Sequence, residues 1–158
     1  MIEITIENEQ QMLELGERLG AALDGHGAVH LAGDLGAGKT TLSRGIVRSY
    51  GYEGAVKSPT FTLVEPYNLE QPVAVNIYHF DLYRLSSPDE LEYIGVDDYF
   101  SADALCLIEW PEKAEGFLPE HDLYIRIDVS GETRNIYICG TTAHGERVCE
   151  KLRIQYES

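Results

Sequence analysis

An apolar run, Ala28-Val29-His30-Leu31-Ala32, breaks into Gly33-Asp34-Leu35-Gly36-Ala37-Gly38-Lys39-Thr40-Thr41. From Gly33 to Thr40 this satisfies every specified position of G-x-x-x-x-G-K-[ST]. It also has the context that motif requires, a strand-like run before it and a helix-like run after it. Three glycines let the backbone turn tightly and aim its N–H groups inward, an anion nest at a helix N-terminus where the dipole also favours phosphate. Lys39 is spaced to reach β- and γ-phosphates, and the Thr40 hydroxyl to ligate Mg²⁺, a hard cation that prefers oxygen. The expected ligand is therefore ATP or ADP with Mg²⁺, held by Gly33, Leu35, Gly36, Ala37, Gly38, Lys39, Thr40 and Thr41. A glycine-rich turn with a surface lysine is the plainer alternative, and the strand and helix on either side count against it.

Two further apolar runs end on a carboxylate. One is Val75-Asn76-Ile77-Tyr78-His79-Phe80-Asp81, followed by Leu82-Tyr83-Arg84; the other is Leu105-Cys106-Leu107-Ile108-Glu109, followed by Trp110-Pro111. A carboxylate at a buried strand end is costly unless it is paired or bound to metal. In NTPases built on this kind of loop, such an acid holds Mg²⁺ and another polar group orients the attacking water. The second run is almost wholly apolar, as a central parallel strand is. Glu109 is accordingly expected at the metal, and Asp81 at the metal or the water, with a solvent-facing strand-end acid the alternative for each. His79 lies two residues before Asp81, which on a strand puts both side chains on one face. Phosphoryl transfer asks little of a protein base, so His79 is expected to be structural or to hydrogen-bond on the metal side.

These groups need elements to position them. Ile2, Ile4 and Ile6 alternate with polar residues as in an edge strand. Asn8 is placed to cap a helix whose Met12, Leu15, Leu19 and Ala22 share one face and which ends near Gly25. After the loop, residues 41–50 read as a helix with Leu42, Ile46 and Val47 inward and Gly51 as its stop. Ser58-Pro59-Thr60 is a turn opening onto a strand at Phe61-Thr62-Leu63-Val64. A second strand, residues 73–81, answers it across the 66–72 connection, most simply antiparallel. Ser86 or Ser87 caps a short helix with Pro88 at its first position. Residues 123–129 and 135–140 alternate around Ser130-Gly131-Glu132-Thr133 as a hairpin. Residues 146–156 read as a terminal helix, with a strand the alternative. The expected fold is α/β: a single domain over residues 1–158, with the P-loop NTPase fold, a mixed, mostly parallel central sheet flanked by helices, and antiparallel hairpins.

At 158 residues the chain is long enough to bury a sizeable core as one domain. It contains no apolar stretch approaching the ~18 residues of a membrane span. Its N-terminal residues, Met1-Ile2-Glu3-Ile4-Thr5, lack the basic and apolar regions of a signal peptide, so the expected location is the cytoplasm, with no membrane partner. Three cysteines without C-x-x-C spacing indicate neither a disulfide framework nor a zinc site. The 27 acidic and 12 basic residues give a formal net charge of −15. That field repels nucleic acid, whose binding depends on Lys and Arg meeting phosphates. Between Thr60 and Thr133 the basic residues are Arg84, Lys113 and Arg126, whereas Lys39, Arg44, Arg48 and Lys57 gather around the glycine loop and the helix after it.

Taken together, the glycine loop, Ser58-Pro59-Thr60-Phe61, His79-Phe80-Asp81-Leu82-Tyr83-Arg84, Glu90-Leu91 with Ile94-Gly95, and Ile108-Glu109-Trp110-Pro111 resemble the TsaE family, the bacterial ATPase component of tRNA threonylcarbamoyladenosine synthesis. The loop is shared by many NTPases; the Ser-Pro-Thr turn and the His-x-Asp-x-Tyr-Arg run are not. The resemblance implies a small ATPase, weak alone, coupled to the protein partners of a threonylcarbamoyl-transferase complex. Those partners install threonylcarbamoyl on adenosine 37 of tRNAs reading codons that begin with A, and hydrolysis here resets or regulates them. The tRNA would be met only indirectly, in keeping with the acidic charge. The resemblance also implies that the 58–60 turn and the region of Glu109 are switch-like, and the stretch after Pro119 follows it only in general strand pattern.

The mechanism expected from these residues is γ-phosphate hydrolysis. The amides of residues 36–41 and Lys39 hold the phosphates, Thr40 and Glu109 bind Mg²⁺, and Asp81 with Thr60 positions the water. No arginine finger is obvious within the chain; Arg84, close after Asp81, is a candidate in cis, and a partner could equally supply or position one. Two alternatives belong to other classes. A small-molecule kinase would need a basic lid, which the middle of the chain lacks, and a nucleotide-dependent binding module would bind without meaningful hydrolysis.

Overall fold

The computed structural model describes residues 1–59, 61–100 and 103–156. In chain order its strands are β1 (Ile2–Ile6), β2 (Gly27–Gly33), β3 (Val64–Leu69), β4 (Val75–Asp81), β5 (Ala104–Glu109), β6 (Leu123–Ser130) and β7 (Thr133–Gly140). Its α-helices are α1 (Glu9–Leu23), α2 (Lys39–Arg48), α3 (Asp89–Tyr93) and α4 (Ala143–Tyr156). The strands form one seven-stranded mixed sheet in the order β1-β7-β6-β2-β5-β4-β3.

Every residue of β5 is buried, because its alternate side chains feed two cores. Leu105 and Leu107 enter the larger one, with Leu15 and Leu19 of α1, Leu42 and Ile46 of α2, and Val148 and Leu152 of α4. Ala104, Cys106 and Ile108 enter a smaller one with Phe80, Leu82, Leu91 and Val96. A strand covered on both faces reads as a continuous apolar run, and β2 follows the same rule. Parallel pairing is confined to the middle of the sheet, β6 with β2, β2 with β5 and β5 with β4. The outer pairings, β1 with β7, β7 with β6 and β4 with β3, are antiparallel, so parallel pairs make up half of the neighbours, short of the expected majority.

Most expected elements are present, with several boundaries shifted by two or three residues and the largest change at β3. The strand expected at residues 61–64 begins only at Val64, because residues 61–63 form a turn in which Leu63 takes φ 67° and its N–H bonds the Pro59 carbonyl at 2.9 Å. The strand then runs on through Pro66 into what was expected to be connection, with Pro66 opposite Tyr78. A proline is tolerated there because β3 is the sheet's last strand. Asn8 caps α1, its side chain accepting from the Gln11 N–H at 2.9 Å. Pro88 occupies the cap of α3, one residue before the expected first position, and residues 143–156 are helical. Cys106, Cys139 and Cys149 are free thiols; burial pushes that of Cys106 up to about 12. Among the described residues no helix is long and apolar enough to cross a membrane.

The glycine loop is held by the crossing of α1 and α2, where the two backbones touch. A Cβ on Gly45 would stand 2.4 Å from the Leu13 carbonyl oxygen, and one on Gly16 would stand 2.5 Å from that of Leu42. Only glycine permits so close an approach, and the contact fixes the helix that begins at Lys39. Gly45→Ala is therefore expected to lower stability by about 2–3 kcal/mol, read as a fall in the urea midpoint; an unchanged midpoint contradicts the backbone contact.

In the middle of β2, His30 is buried with its Nε2 unpartnered among the described residues, and burial together with His121 lowers its pKa from 6.5 to about 4. The native state thus keeps this ring neutral where the unfolded chain protonates it. The stability this contributes is present above pH 6.5 and is lost as pH falls toward 4. His30→Phe is expected to remove on the order of 2 kcal/mol of that acid sensitivity, measured as the difference in unfolding free energy between pH 7 and pH 4.5.

Candidate functional site

The parallel register brings β2, β4 and β5 to a common carboxyl edge, with Leu31 opposite Glu109 and Asp81 opposite Glu109. In open α/β sheets ligands bind outside that edge. The glycine loop leaves β2 there. Gly36 and Gly38 take φ of 79° and 115°, values that side chains rarely adopt, and Gly38 caps α2. The first amides of a helix have no intrahelical partner, so α2 presents donors and the positive end of its dipole at this edge.

Lys39 begins α2 with its side chain folded over its own loop. Its Nζ donates to the carbonyl oxygens of Gly33 and Asp34, the latter at 3.0 Å, and lies 4.1 Å from the centroid of the Trp110 ring. Burial lowers its pKa, opposed chiefly by the charge of Glu109 and then by Glu112, Asp81 and Asp34. An anion delivered to this amine would restore the preference for the charged form.

Glu109, only 3% exposed, ends β5. It accepts hydrogen bonds from the Thr40 hydroxyl at 3.0 and 3.2 Å and meets His79 Nε2 at 2.5 Å. An ionised carboxylate only accepts, so Nε2 carries the hydrogen in that contact. His79 is fully buried on β4, its Nδ1 unpartnered among the described residues. Trp110 adopts φ 60°, ψ 50°, unusual for a bulky residue. That conformation ends the strand immediately after Glu109 and turns the indole over Lys39.

Asp81 stands beside Glu109 in register but is held by other donors, Ser58 Oγ on one oxygen and the Tyr83 N–H at 3.0 Å on the other. Thr60, the expected companion of Asp81, lies outside the described residues. A cleft of about 440 Å³ brings together residues 35–41, Ser58, Asp81, Tyr83, Arg84, Glu109 and Trp110. A second, of about 400 Å³, lies across the loop against Asn8, Glu9, Arg44, Glu132 and Arg134. Both volumes are in the range of small-molecule sites. Among the described residues no three His, Cys, Asp or Glu side chains group as a metal site; the Thr40–Glu109 pair is instead the sparse oxygen set suited to a cation that keeps its waters.

The residues match the model of a family described as "Threonylcarbamoyl adenosine biosynthesis protein TsaE" over residues 6–136. The chain belongs to the TsaE family. Curated relatives named tRNA threonylcarbamoyladenosine biosynthesis protein TsaE include one from Haemophilus influenzae, 53% identical over 76% of this chain and 74% of its own. Another, from Streptomyces coelicolor, is 41% identical over 86% of this chain and 93% of its own. The crystal structure of Bacillus subtilis YdiB superposes with a TM-score of 0.79 at 28% identity, covering 98% of this chain and 95% of that one. Lys39, Thr40, Asp81 and Glu109 line one cleft at the carboxyl edge of the sheet.

Two features of that edge have no local signal in the sequence. Arg134 of β7 donates to the Ala37 carbonyl at 3.1 Å and to that of Gly36 at 3.5 Å, bracing the loop from 97 residues away. Ser58 reaches Asp81 across 23 residues, and only its place in the Ser-Pro-Thr turn marked it. The His79–Glu109 contact is the one most exposed to test. His79→Leu is expected to cost about 3 kcal/mol of stability, since it strips a partner from a buried charge. A double-mutant cycle with Glu109→Leu should give a coupling of roughly 1–3 kcal/mol in urea unfolding, and additive losses contradict the pairing.

Proposed function

We propose that this protein is a P-loop ATPase. In this reading it binds ATP with Mg²⁺ over the glycine loop and hydrolyses it slowly alone and faster with its partners. It serves the machinery that makes N6-threonylcarbamoyladenosine at position 37 of tRNAs reading codons that start with A, in the cytoplasm. Membership of the TsaE family and the names of the curated relatives support the pathway. The observation that carries the chemistry is the meeting of Lys39, the Thr40–Glu109 pair and Asp81 at one carboxyl edge.

Thr40 and Glu109 would hold Mg²⁺, because both offer oxygen and Glu109 is a buried carboxylate already shared with that hydroxyl; the chemistry such an ion would supply is Lewis-acid withdrawal of charge from the phosphoryl oxygens. His79 positions Glu109 from behind. Lys39 exchanges two neutral carbonyl partners for phosphate oxygens, a stronger charge-assisted contact. Amides of residues 36–41 hold the phosphates. The second cleft, with Asn8, Glu9 and Arg134, takes the nucleoside. Asp81, fixed by Ser58 and the Tyr83 N–H, accepts a hydrogen bond from the attacking water, with Thr60 assigned beside it. The water oxygen bonds to the γ-phosphorus as the bond to the β–γ bridging oxygen breaks. Its electron pair departs with ADP, and the water's proton passes to phosphate and solvent.

Among the described residues only Lys39 and Arg84 bring positive charge to the first cleft, which favours water over a charged small molecule as acceptor. The acidic surface, −15 overall, suits action on partner proteins, with tRNA met through them.

Following the label of γ-³²P-ATP with Mg²⁺, alone and with the tRNA-modifying partners, tests this reading. Release as free phosphate, accelerated by partners, is expected; label on a small molecule, or no turnover in either mixture, contradicts it. Lys39→Ala is expected to lose nucleotide affinity by about 10-fold or more. Asp81→Asn should keep ATP affinity while turnover falls about 100-fold or more.

A further inference from the structure

Cations are scarce in this chain, 12 against 27 acids, and of the four that line the two clefts beside the loop, Lys39, Arg44, Arg84 and Arg134, three are held by polar partners. Lys39 and Arg134 bind loop carbonyls, and Arg44 binds the Val56 carbonyl and lies 3.7 Å from Glu9. Arg84 differs. It lines the cleft with Asp81 and Glu109, and its side chain is exposed. Among the described residues its guanidinium has no hydrogen-bond or ion-pair partner and lies over Phe61, whose ring centroid is 5.0 Å from the guanidinium carbon.

The backbone around Arg84 is anchored on both sides. The Leu82 N–H bonds the Glu109 carbonyl at 3.1 Å, the Tyr83 N–H bonds Asp81, and the Leu85 N–H bonds the Leu82 carbonyl at 3.0 Å. Leu82 and Leu85 are buried. The Cα of Arg84 is thus fixed at the cleft's edge while its guanidinium rests on a ring that is itself 86% exposed. A cation–aromatic contact in water is weak and yields readily to a phosphate, which a guanidinium grips with paired, charge-assisted hydrogen bonds.

We propose that Arg84 is a catalytic residue, an arginine finger supplied in cis that contacts the γ-phosphoryl oxygens during hydrolysis. The inference rests on the ATPase reading given above. Arg84 stays protonated throughout; its N–H groups donate to the equatorial oxygens, where charge gathers as the water oxygen bonds to phosphorus and the bond to ADP breaks. No group on Arg84 exchanges a proton. Its place three residues after Asp81 lets one anchored segment present both the residue that orients the water and the residue that meets the developing charge.

The test compares wild type, Arg84→Ala and Arg84→Lys in two readouts. The first is single-turnover hydrolysis of γ-³²P-ATP with Mg²⁺. The second is the affinity of a fluorescent ADP, with and without aluminium fluoride, which mimics the transferring phosphoryl group. Arg84→Ala is expected to reduce hydrolysis about 100-fold or more and to abolish the tightening of ADP by aluminium fluoride. Its affinity for ADP alone should stay within about 3-fold of wild type, the pattern of an interaction made only in the transition state. Arg84→Lys, a point charge without the fork, is expected to restore only part of the loss. Hydrolysis and aluminium fluoride tightening at wild-type levels in Arg84→Ala overturn the assignment and leave the ATPase reading standing. An equal loss of affinity in both ADP states makes Arg84 a ground-state binding residue and also overturns it. A wild-type protein that binds no nucleotide overturns the ATPase reading itself.

Discussion

A buried carboxylate must be satisfied or expelled, and much of this molecule follows from how Glu109 is satisfied. It takes a hydroxyl from Thr40 on the first turn of α2 and an imidazole N–H from His79 on β4, while sitting at the end of β5. Three elements far apart in sequence are thereby tied through one side chain. Losing any of the three donors or acceptors leaves a desolvated charge or an orphaned polar group, each costly in a low dielectric. The same arrangement that resolves a stability problem leaves two oxygen-bearing groups at the mouth of the cleft beside a lysine.

The rest of the fold secures the loop that must meet this carboxylate. Gly16 and Gly45 let α1 and α2 pack backbone to backbone, Arg134 clamps the loop carbonyls from β7, and Trp110 closes over Lys39 as β5 ends. Each brace comes from a different side. Pre-organised donors of this kind cost no reorganisation when charge arrives, which is the physical merit of a rigid loop beneath a more exposed rim. That rim carries the exposed side chains of Phe61 and Arg84, stacked on each other, with Tyr83 packed on Trp110 beside them.

Much of this was legible from residue types alone. Period-two alternation located β1, β6 and β7, the Asn8 cap and glycine stops located α1 and α2, and the all-apolar run marked β5 as central. The two strand-end carboxylates were recognisable because a charge at the end of such a run demands an explanation, and the register places them side by side. What was not legible depends on contacts between distant residues. Nothing local in Arg134 or Ser58 announces its partner, and β3 was misplaced because Leu63 takes a left-handed turn that its side chain does not advertise. The extent of antiparallel pairing was likewise underestimated, since alternation fixes the face of a strand and leaves the direction of its neighbour open.

The account's central claim is that phosphate and Mg²⁺ meet the protein between Lys39, Thr40 and Glu109. A crystal structure with Mg²⁺ and a non-hydrolysable ATP analogue tests it most directly. The expected result is Lys39 Nζ transferred from the Gly33 and Asp34 carbonyls to phosphate oxygens, with the cation held by Thr40 and Glu109, directly or through a water. Nucleotide bound away from the loop, or a cation that leaves the Thr40–Glu109 pair untouched, contradicts it.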